Sequence, residues 1–159
     1  MQDEKFTDEL EDTLLGRNLK ESVLPGAHIK KLTAADFTLL CKLVAQHKLP
    51  LIKFMEVARS YAADNINEFT FQELGDVLLT FLIAMEDISL AQKAEEGVLK
   101  HGRKMSVDDC ISLMNAFMLY NSSEDLWLLF DVVIGKNIRK VEDSQIIPIL
   151  HMFSKAPHK

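Results

Sequence analysis

The sequence predicts an all-α fold, an α-solenoid of about seven helices in which a helix-turn-helix unit of 36–37 residues occurs three times. The main observation is an apolar triplet with i, i+3, i+7 spacing that occurs four times, at offsets of 37, 36 and 36 residues. This spacing places three side chains on one helix face, and a fixed period is typical of stacked helical repeats. A second observation is that helix-capping residues recur with the same period. The triplets are Phe37, Leu40, Val44; Leu74, Val77, Phe81; Cys110, Leu113, Phe117; and Ile146, Ile149, Phe153.

Residues 1–30 are predicted to form an N-terminal arm, followed by a helical-repeat domain at residues 31–159. Within the arm, Phe6, Leu10 and Leu14 have the i, i+4, i+8 spacing of one amphipathic helix. A Pro-Gly pair then interrupts the chain before the first repeat unit.

The first helix of each unit is predicted to begin after a capping residue that lies four positions before the triplet. Two of these residues open a Ser/Thr-x-x-acid pattern, in which side chains bond the free amides of the first helical turn: Thr70 with Glu73, and Ser106 with Asp109. The four capping residues are Thr33, Thr70, Ser106 and Glu142.

The second helix of each unit recurs with the same period. We expect these helices to start near Leu49-Pro50, Glu86-Asp87 and Ser122-Ser123. Their ends are expected near Asn65, Gly102 and Asn137, residue types that tolerate the left-handed conformation at a helix stop. A final unpaired helix is predicted from about Asp143 to Ser154, and no segment alternates as a β-strand.

Composition restricts the function classes. The chain has 159 residues, a formal charge of -6 and a pI near 5.3, which argues against a large phosphate-binding surface. Its two cysteines, Cys41 and Cys110, fall in predicted helices and have no partner at metal-ligand spacing. We therefore expect them to be reduced, buried residues in a reducing compartment.

No apolar run approaches the 18 or more residues that span a bilayer, so no membrane span is predicted. The first five residues, Met1 to Lys5, are acidic, unlike the Arg-rich, acid-poor start of a mitochondrial presequence. We expect either that the protein is never imported or that an import peptide has been removed.

The sequence offers no catalytic, cofactor or metal site. The segment Asp64–Phe69 departs from a calcium loop, because Ile66 and Phe69 occupy the third and sixth positions. Adjacent acidic residues on a helix diverge by about 100°, which does not suit acid/base work. The pairs are Glu95-Glu96, Asp108-Asp109 and Glu124-Asp125, of which the last two suit the first turn of a helix. The five histidines are scattered and lack ligand spacing: His28, His47, His101, His151 and His158. Trp127 is predicted to be a core residue.

The third unit resembles a pentatricopeptide repeat in Ser112–Phe117, Leu128–Asp131 and Lys136–Ile138. The resemblance extends over about residues 33 to 155. It implies a right-handed solenoid and, for many members of that family, binding of single-stranded RNA in organelles. In such proteins a polar residue early in each first helix reads a base.

The residues at the corresponding positions do not suit base reading. They are Thr38, Gly75, Ile111 and Ile147, of which only Thr38 has a side chain that hydrogen-bonds. The sequence therefore predicts that the repeat scaffold is kept and the RNA chemistry is lost.

In size, helical build, repeat number and inferred non-RNA role, the chain is similar to the pentatricopeptide-like accessory subunits of euglenozoan mitochondrial ATP synthases. This resemblance implies a non-catalytic subunit that docks on the exterior of the F1 α subunit, in the mitochondrial matrix. Neither cofactor nor small-molecule substrate is expected. The interface is predicted on the first-helix face or the N-terminal arm, the former around Thr38, Lys42, Leu79, Ile111 and Asn115.

Three hypotheses remain at this point. The first is this protein-binding subunit, and the second is an organellar RNA-binding repeat protein that works with a basic partner supplying positive charge. An enzyme whose site is assembled across repeats is the third hypothesis, which the lack of convergent titratable residues disfavours.

Overall fold

In a computed structural model of the chain, the described residues are residue 29, residues 31–46 and residues 52–156. They contain seven α-helices and no strand, which confirms the all-α class and the number of helices. The predicted arm helix and the Leu49-Pro50 start lie outside the described residues. The helices are α1 (Ala34–Gln46), α2 (Ile52–Asp64), α3 (Phe71–Met85), α4 (Ile88–His101), α5 (Val107–Phe117), α6 (Glu124–Lys136) and α7 (Asp143–Phe153).

The helices recur with the predicted period. The odd-numbered helices, which we call first helices, begin at residues 34, 71, 107 and 143. The even-numbered second helices begin at residues 52, 88 and 124. Each start is therefore 36 or 37 residues after the equivalent start in the preceding unit.

The helices pack in two rows. In one row α1 contacts α3, α3 contacts α5 and α5 contacts α7, while in the other row α2 contacts α4 and α4 contacts α6. The largest fully buried side chains come from both rows, with Phe81 and Phe117 in the first helices and Phe130 in α6. A continuous core thus lies between the rows. The superhelical path of a solenoid stays a prediction.

The apolar triplets supply much of this core. In α1, α3 and α5 eight of the nine triplet residues are buried and the ninth, Leu40, packs against the core. Trp127 is also buried, as predicted, with Nε1 donating to Ser122 Oγ at 2.9 Å. The exception is in α7, where Ile149 is buried but Ile146 is exposed. No described helix packs on that side of α7.

The four predicted capping residues precede the first helices, with Thr33 Oγ1 accepting from the Asp36 amide at 3.2 Å and the Glu142 amide donating to Gln145 Oε1 at 3.0 Å. Thr70 and Glu73 cap α3 reciprocally, since the Glu73 amide donates to Thr70 Oγ1 at 3.3 Å and the Thr70 amide donates to Glu73 Oε2 at 2.8 Å. Ser106 and Asp109 make the same pair of bonds at α5. Each unit therefore begins with local hydrogen bonds that its own sequence supplies.

The second helices end where predicted but for a different reason. Gly102 and Asn137 cap α4 and α6, yet their φ angles of -72° and -108° are not left-handed. Instead, the chain tightens into 3-10 turns at Gly102–Lys104 and Ile138–Lys140. These turns satisfy carbonyls at the helix end without a positive φ angle, so the expected left-handed stops are wrong.

The tightest approach between two first helices is at Gly75 in α3. A Cβ atom at this residue would lie 2.4 Å from Ser112 Oγ and 2.7 Å from the Ser112 backbone in α5. Ser112 Oγ also donates to the Gln72 carbonyl at 3.1 Å. Glycine is therefore required here to bring α3 and α5 into backbone contact.

We expect Gly75→Ala to lower the free energy of unfolding by about 1–3 kcal/mol, because α5 must shift to admit the methyl group. The matched control is Gly135→Ala on α6, where an added Cβ meets no atom within 4 Å. This control should stabilise the protein by about 0.5–1 kcal/mol through helix propensity. Urea denaturation of both variants checks the prediction, and an equal effect of the two would contradict it.

Candidate interaction surfaces

The residues predicted to form the partner interface lie along the contact between successive first helices. Thr38 is buried, and its hydroxyl donates to the Ala34 carbonyl at 2.8 Å. Lys42 Nζ in α1 lies 2.7 Å from Asp76 Oδ2 in α3. These two side chains are thus engaged within the chain.

The other predicted interface residues differ in exposure. Leu79 and Ile111 are partly buried and pack against the core, whereas Asn115 is exposed. Of the four positions that correspond to base-reading residues, Gly75 faces Ser112 and Thr38 is bonded within its own helix. The Thr38 hydroxyl therefore already has a partner inside the protein.

A first exposed surface lies on α7 and consists of Ile146, Ile147 and Leu150, which we call the terminal face. The exposed fractions of these side chains are 44%, 78% and 64%. On the helix Leu150 lies between Ile146 and Ile147, and the three side chains span an arc of about 100°. Sequence analysis missed this surface, because the triplet pattern assigned Ile146 to the core.

The positions equivalent to Leu150 and Ile146 are buried in every preceding unit. Cys41, Leu78 and Met114 correspond to Leu150 by the repeat period, and each has an exposed fraction of 0%. Phe37, Leu74 and Cys110, which correspond to Ile146, are buried as well. The terminal face therefore has the composition of a unit-to-unit contact without the following unit.

A pair of polar bonds links successive second helices at equivalent positions. In the first, Arg59 of α2 bonds the Asp87 carboxylate at the start of α4, with Nη2 3.3 Å from Oδ1. In the second, Glu95 of α4 accepts a bond of 2.8 Å from the Ser123 amide at the start of α6. Both pairs are 28 residues apart. We call them the inter-unit bonds.

The Asp87 carboxylate accepts more hydrogen bonds than the Glu95 carboxylate does. Burial disfavours its charged form, but hydrogen bonds from Arg59, Ser89 and the Leu90 amide outweigh this effect and hold the pKa of Asp87 below its ordinary value. Asp87 also caps α4, since its Oδ1 accepts from the Leu90 amide at 3.2 Å. The carboxylate thus joins two units and caps a helix at the same time.

A second exposed surface is a row of cations at the ends of α4 and α6, which we call the basic edge. Its members are all exposed, and neither ion pair found among the described residues involves them. The pattern that reveals them is an Arg-Lys pair repeated at 36 residues, a signal that sequence analysis missed. The basic edge consists of Lys100, Arg103, Lys104, Lys136, Arg139 and Lys140.

Beside the basic edge is a groove of about 330 Å³ between α4 and α6. Its apolar lining includes Leu99, Leu128 and Val132, and Arg103 and Lys136 from the basic edge also line it. Leu128 and Val132 have exposed fractions of 54% and 48%, although they belong to the solvent side of α6. We call this groove the apolar groove.

The remaining polar groups have structural roles or are dispersed. Within the described part of the chain, no three His, Cys, Asp or Glu side chains are grouped to hold a metal ion. Of the acidic pairs, Glu95 takes part in an inter-unit bond and Asp109 caps α5. Over the same residues, no helix has the length and apolar character needed to cross a bilayer.

Comparison of the chain with protein-family profiles, curated proteins and solved structures gave no match in any of the three.

We expect Asp87→Asn to lower the free energy of unfolding by about 1–2 kcal/mol at neutral pH, because asparagine keeps a cap but loses the charge that bonds Arg59. A depressed carboxyl pKa stabilises the fold above the ordinary aspartate pKa, and this contribution is lost as the pH falls through the folded value. The difference in unfolding free energy between the variant and the wild type should therefore shrink as the pH falls below the ordinary aspartate pKa. Chemical denaturation from pH 7 to pH 3 measures it, with Asp131→Asn at an exposed position as the control.

The two cysteines are free and buried, as predicted. Burial raises the pKa of the Cys41 thiol to about 12, and burial together with Asp109 raises the pKa of Cys110 to about 12. Because the thiolate is the reactive form, we expect neither thiol to react with Ellman's reagent at pH 8 in the folded protein. Both should react at once in guanidinium chloride, and rapid labelling of the native protein would contradict this burial.

Proposed function

We propose that the chain is a non-catalytic, protein-binding subunit of a larger assembly, which it joins through the terminal face. The observation that carries the proposal is the exposure of Ile146 and Leu150 at positions that the preceding units bury, next to the exposed Ile147. Three aliphatic side chains that share a helix face are a favourable site for a partner helix. A partner that covers them takes the place of a following unit.

For the identity of the assembly we propose the mitochondrial ATP synthase, with the α subunit of F1 as the contact. The support for this step is the resemblance to pentatricopeptide-like accessory subunits in repeat period, size and repeat number. The location then proposed is the mitochondrial matrix.

The test is affinity purification of the full chain from euglenozoan mitochondria, followed by mass spectrometry. We expect F1 subunits to be enriched with the wild-type chain. The double variant Ile147→Glu/Leu150→Glu should reduce this enrichment about tenfold or more, because each buried aliphatic side chain contributes about 1.5–3 kcal/mol. The control is Ile83→Glu on α3, which has a comparable exposed fraction of 63% and lies outside the terminal face.

Two results would contradict parts of the proposal separately. If F1 subunits are not enriched with the wild-type chain, the ATP synthase assignment is wrong. If the double variant retains the same proteins as the control, the terminal face is not the docking surface.

RNA binding is the alternative function, and the basic edge is the observation that favours it. Against it stand the overall charge of -6 and the engagement of Thr38 within its own helix. Filter binding of a labelled single-stranded RNA at low salt distinguishes the two functions. Tight binding with a steep salt dependence would favour the RNA-binding function, because released counterions accompany phosphate contacts.

A further inference from the structure

We infer that the apolar groove and the basic edge together form a second docking site, which binds an acidic amphipathic helix of a partner protein. This site involves α4 and α6 and not the terminal face, so the inference does not depend on the function proposed above.

The first step concerns two positions at which neighbouring units differ. A groove of about 520 Å³ lies one unit earlier, beside α4, and shares part of its lining positions with the groove at α6. There, Lys93 and Glu96 occupy the positions of Leu129 and Val132. At these two positions the groove at α6 is aliphatic where the earlier groove is charged, while the earlier groove has other apolar walls that include Phe69 and Leu74.

The second step is that the groove has a fixed wall. The 3-10 turn Gly102–Lys104 packs against α6, and Gly102 is so close that an added Cβ would lie 3.0 Å from Leu129 Cδ2. This contact places Arg103 beside the groove, while Lys136 lines it from the end of α6. The aliphatic side chains of the groove thus lie next to two cations, Arg103 and Lys136.

The third step concerns charge. The chain as a whole carries a formal charge of -6, yet six exposed cations gather at this edge. One unit earlier, Asp64 and Glu68 occupy the positions of Lys100 and Lys104. At these two positions the charge is therefore negative at the end of α2 and positive at the end of α4. An occupant with apolar anchors and flanking carboxylates complements both changes.

A nucleic acid fits this site less well than an acidic helix. None of the residues that line the groove is aromatic, so no side chain offers a stacking surface to a base. Asp125 also lines the groove, so the carboxylates of a bound acidic helix would have to lie beside Arg103 and Lys136 and away from Asp125. Aliphatic side chains such as Leu128 and Val132 instead suit the leucine or phenylalanine anchors of a helix.

The probe for a direct test is a fluorescein-labelled synthetic helix of about 18 residues, or about five turns, with leucines on one face and glutamates elsewhere. A scrambled peptide of the same composition is the peptide control. We expect the full-length chain to change the anisotropy of the amphipathic peptide with micromolar affinity and to bind the scrambled peptide at least about tenfold more weakly.

Two sets of variants separate the apolar and the charged contributions. Leu128→Gln/Val132→Glu introduces the residues that the preceding unit carries at Gln92 and Glu96, so the helix surface tolerates them. It should weaken peptide binding at least about tenfold. Arg103→Glu/Lys136→Glu should weaken peptide binding to a similar extent. It should also reduce the salt dependence of binding, because fewer cations of the site then attract the carboxylates of the peptide. Ile83→Glu and Lys155→Glu, both exposed elsewhere, should leave the affinity unchanged.

The inference is wrong if the peptide does not bind at about 100 μM, or if the scrambled peptide binds equally well. It is also wrong if Leu128→Gln/Val132→Glu binds like the wild-type chain. A labelled single-stranded RNA run in parallel gives the remaining outcome: RNA that binds more tightly than the peptide and displaces it would assign the basic edge to nucleic acid instead. Circular dichroism of each variant ensures that a loss of binding does not reflect unfolding.

Discussion

The fold depends on one constraint: a first helix is apolar on both the side that faces the preceding unit and the side that faces the following unit. In α1, α3 and α5 the following unit covers the second side, so that Cys41, Leu78 and Met114 have no exposed surface. Burial of such side chains is the main source of stability in a stack whose units contact only their neighbours. The constraint is left unmet at α7, where Ile146 and Leu150 are exposed, and the proposed docking at the terminal face would bury them.

Polar contacts fix the positions of the helices within this apolar stack. The capping pairs fix where each first helix begins, and the inter-unit bonds fix how each second helix meets the next one. A row of helices held by aliphatic contacts alone could slide by a residue without much loss of buried area. Asp87 and Ser123 prevent this, because each is also the N-cap of its own helix.

Much of the fold could be predicted from the sequence because its causes are local. The triplets and the caps depend on residues within one helical turn or two, and the period carries them from unit to unit. The helix stops at Gly102 and Asn137 were predicted in position but not in conformation. At Gly102 the 3-10 turn that follows packs against α6, a contact that the local sequence does not reveal.

The surfaces were less predictable, because exposure is a property of the whole stack. Ile146 has the spacing of a core residue and is exposed only because α7 lacks a neighbour on that side. The basic edge joins residues 36 positions apart, which become neighbours only when the units stack. Thr38 was expected at an interface, yet the same stacking buries it.

The inter-unit bonds also give the array a fixed order. Arg59 and Glu95 occupy the same repeat position, but the first is positive and reaches the Asp87 carboxylate, whereas the second is negative and accepts from a backbone amide. If one unit were deleted, Arg59 would meet Ser123 and bring a positive charge to the positive end of a helix dipole. The modules of this chain are thus similar in shape but not interchangeable, and shuffling them would create electrostatic mismatches at each new junction.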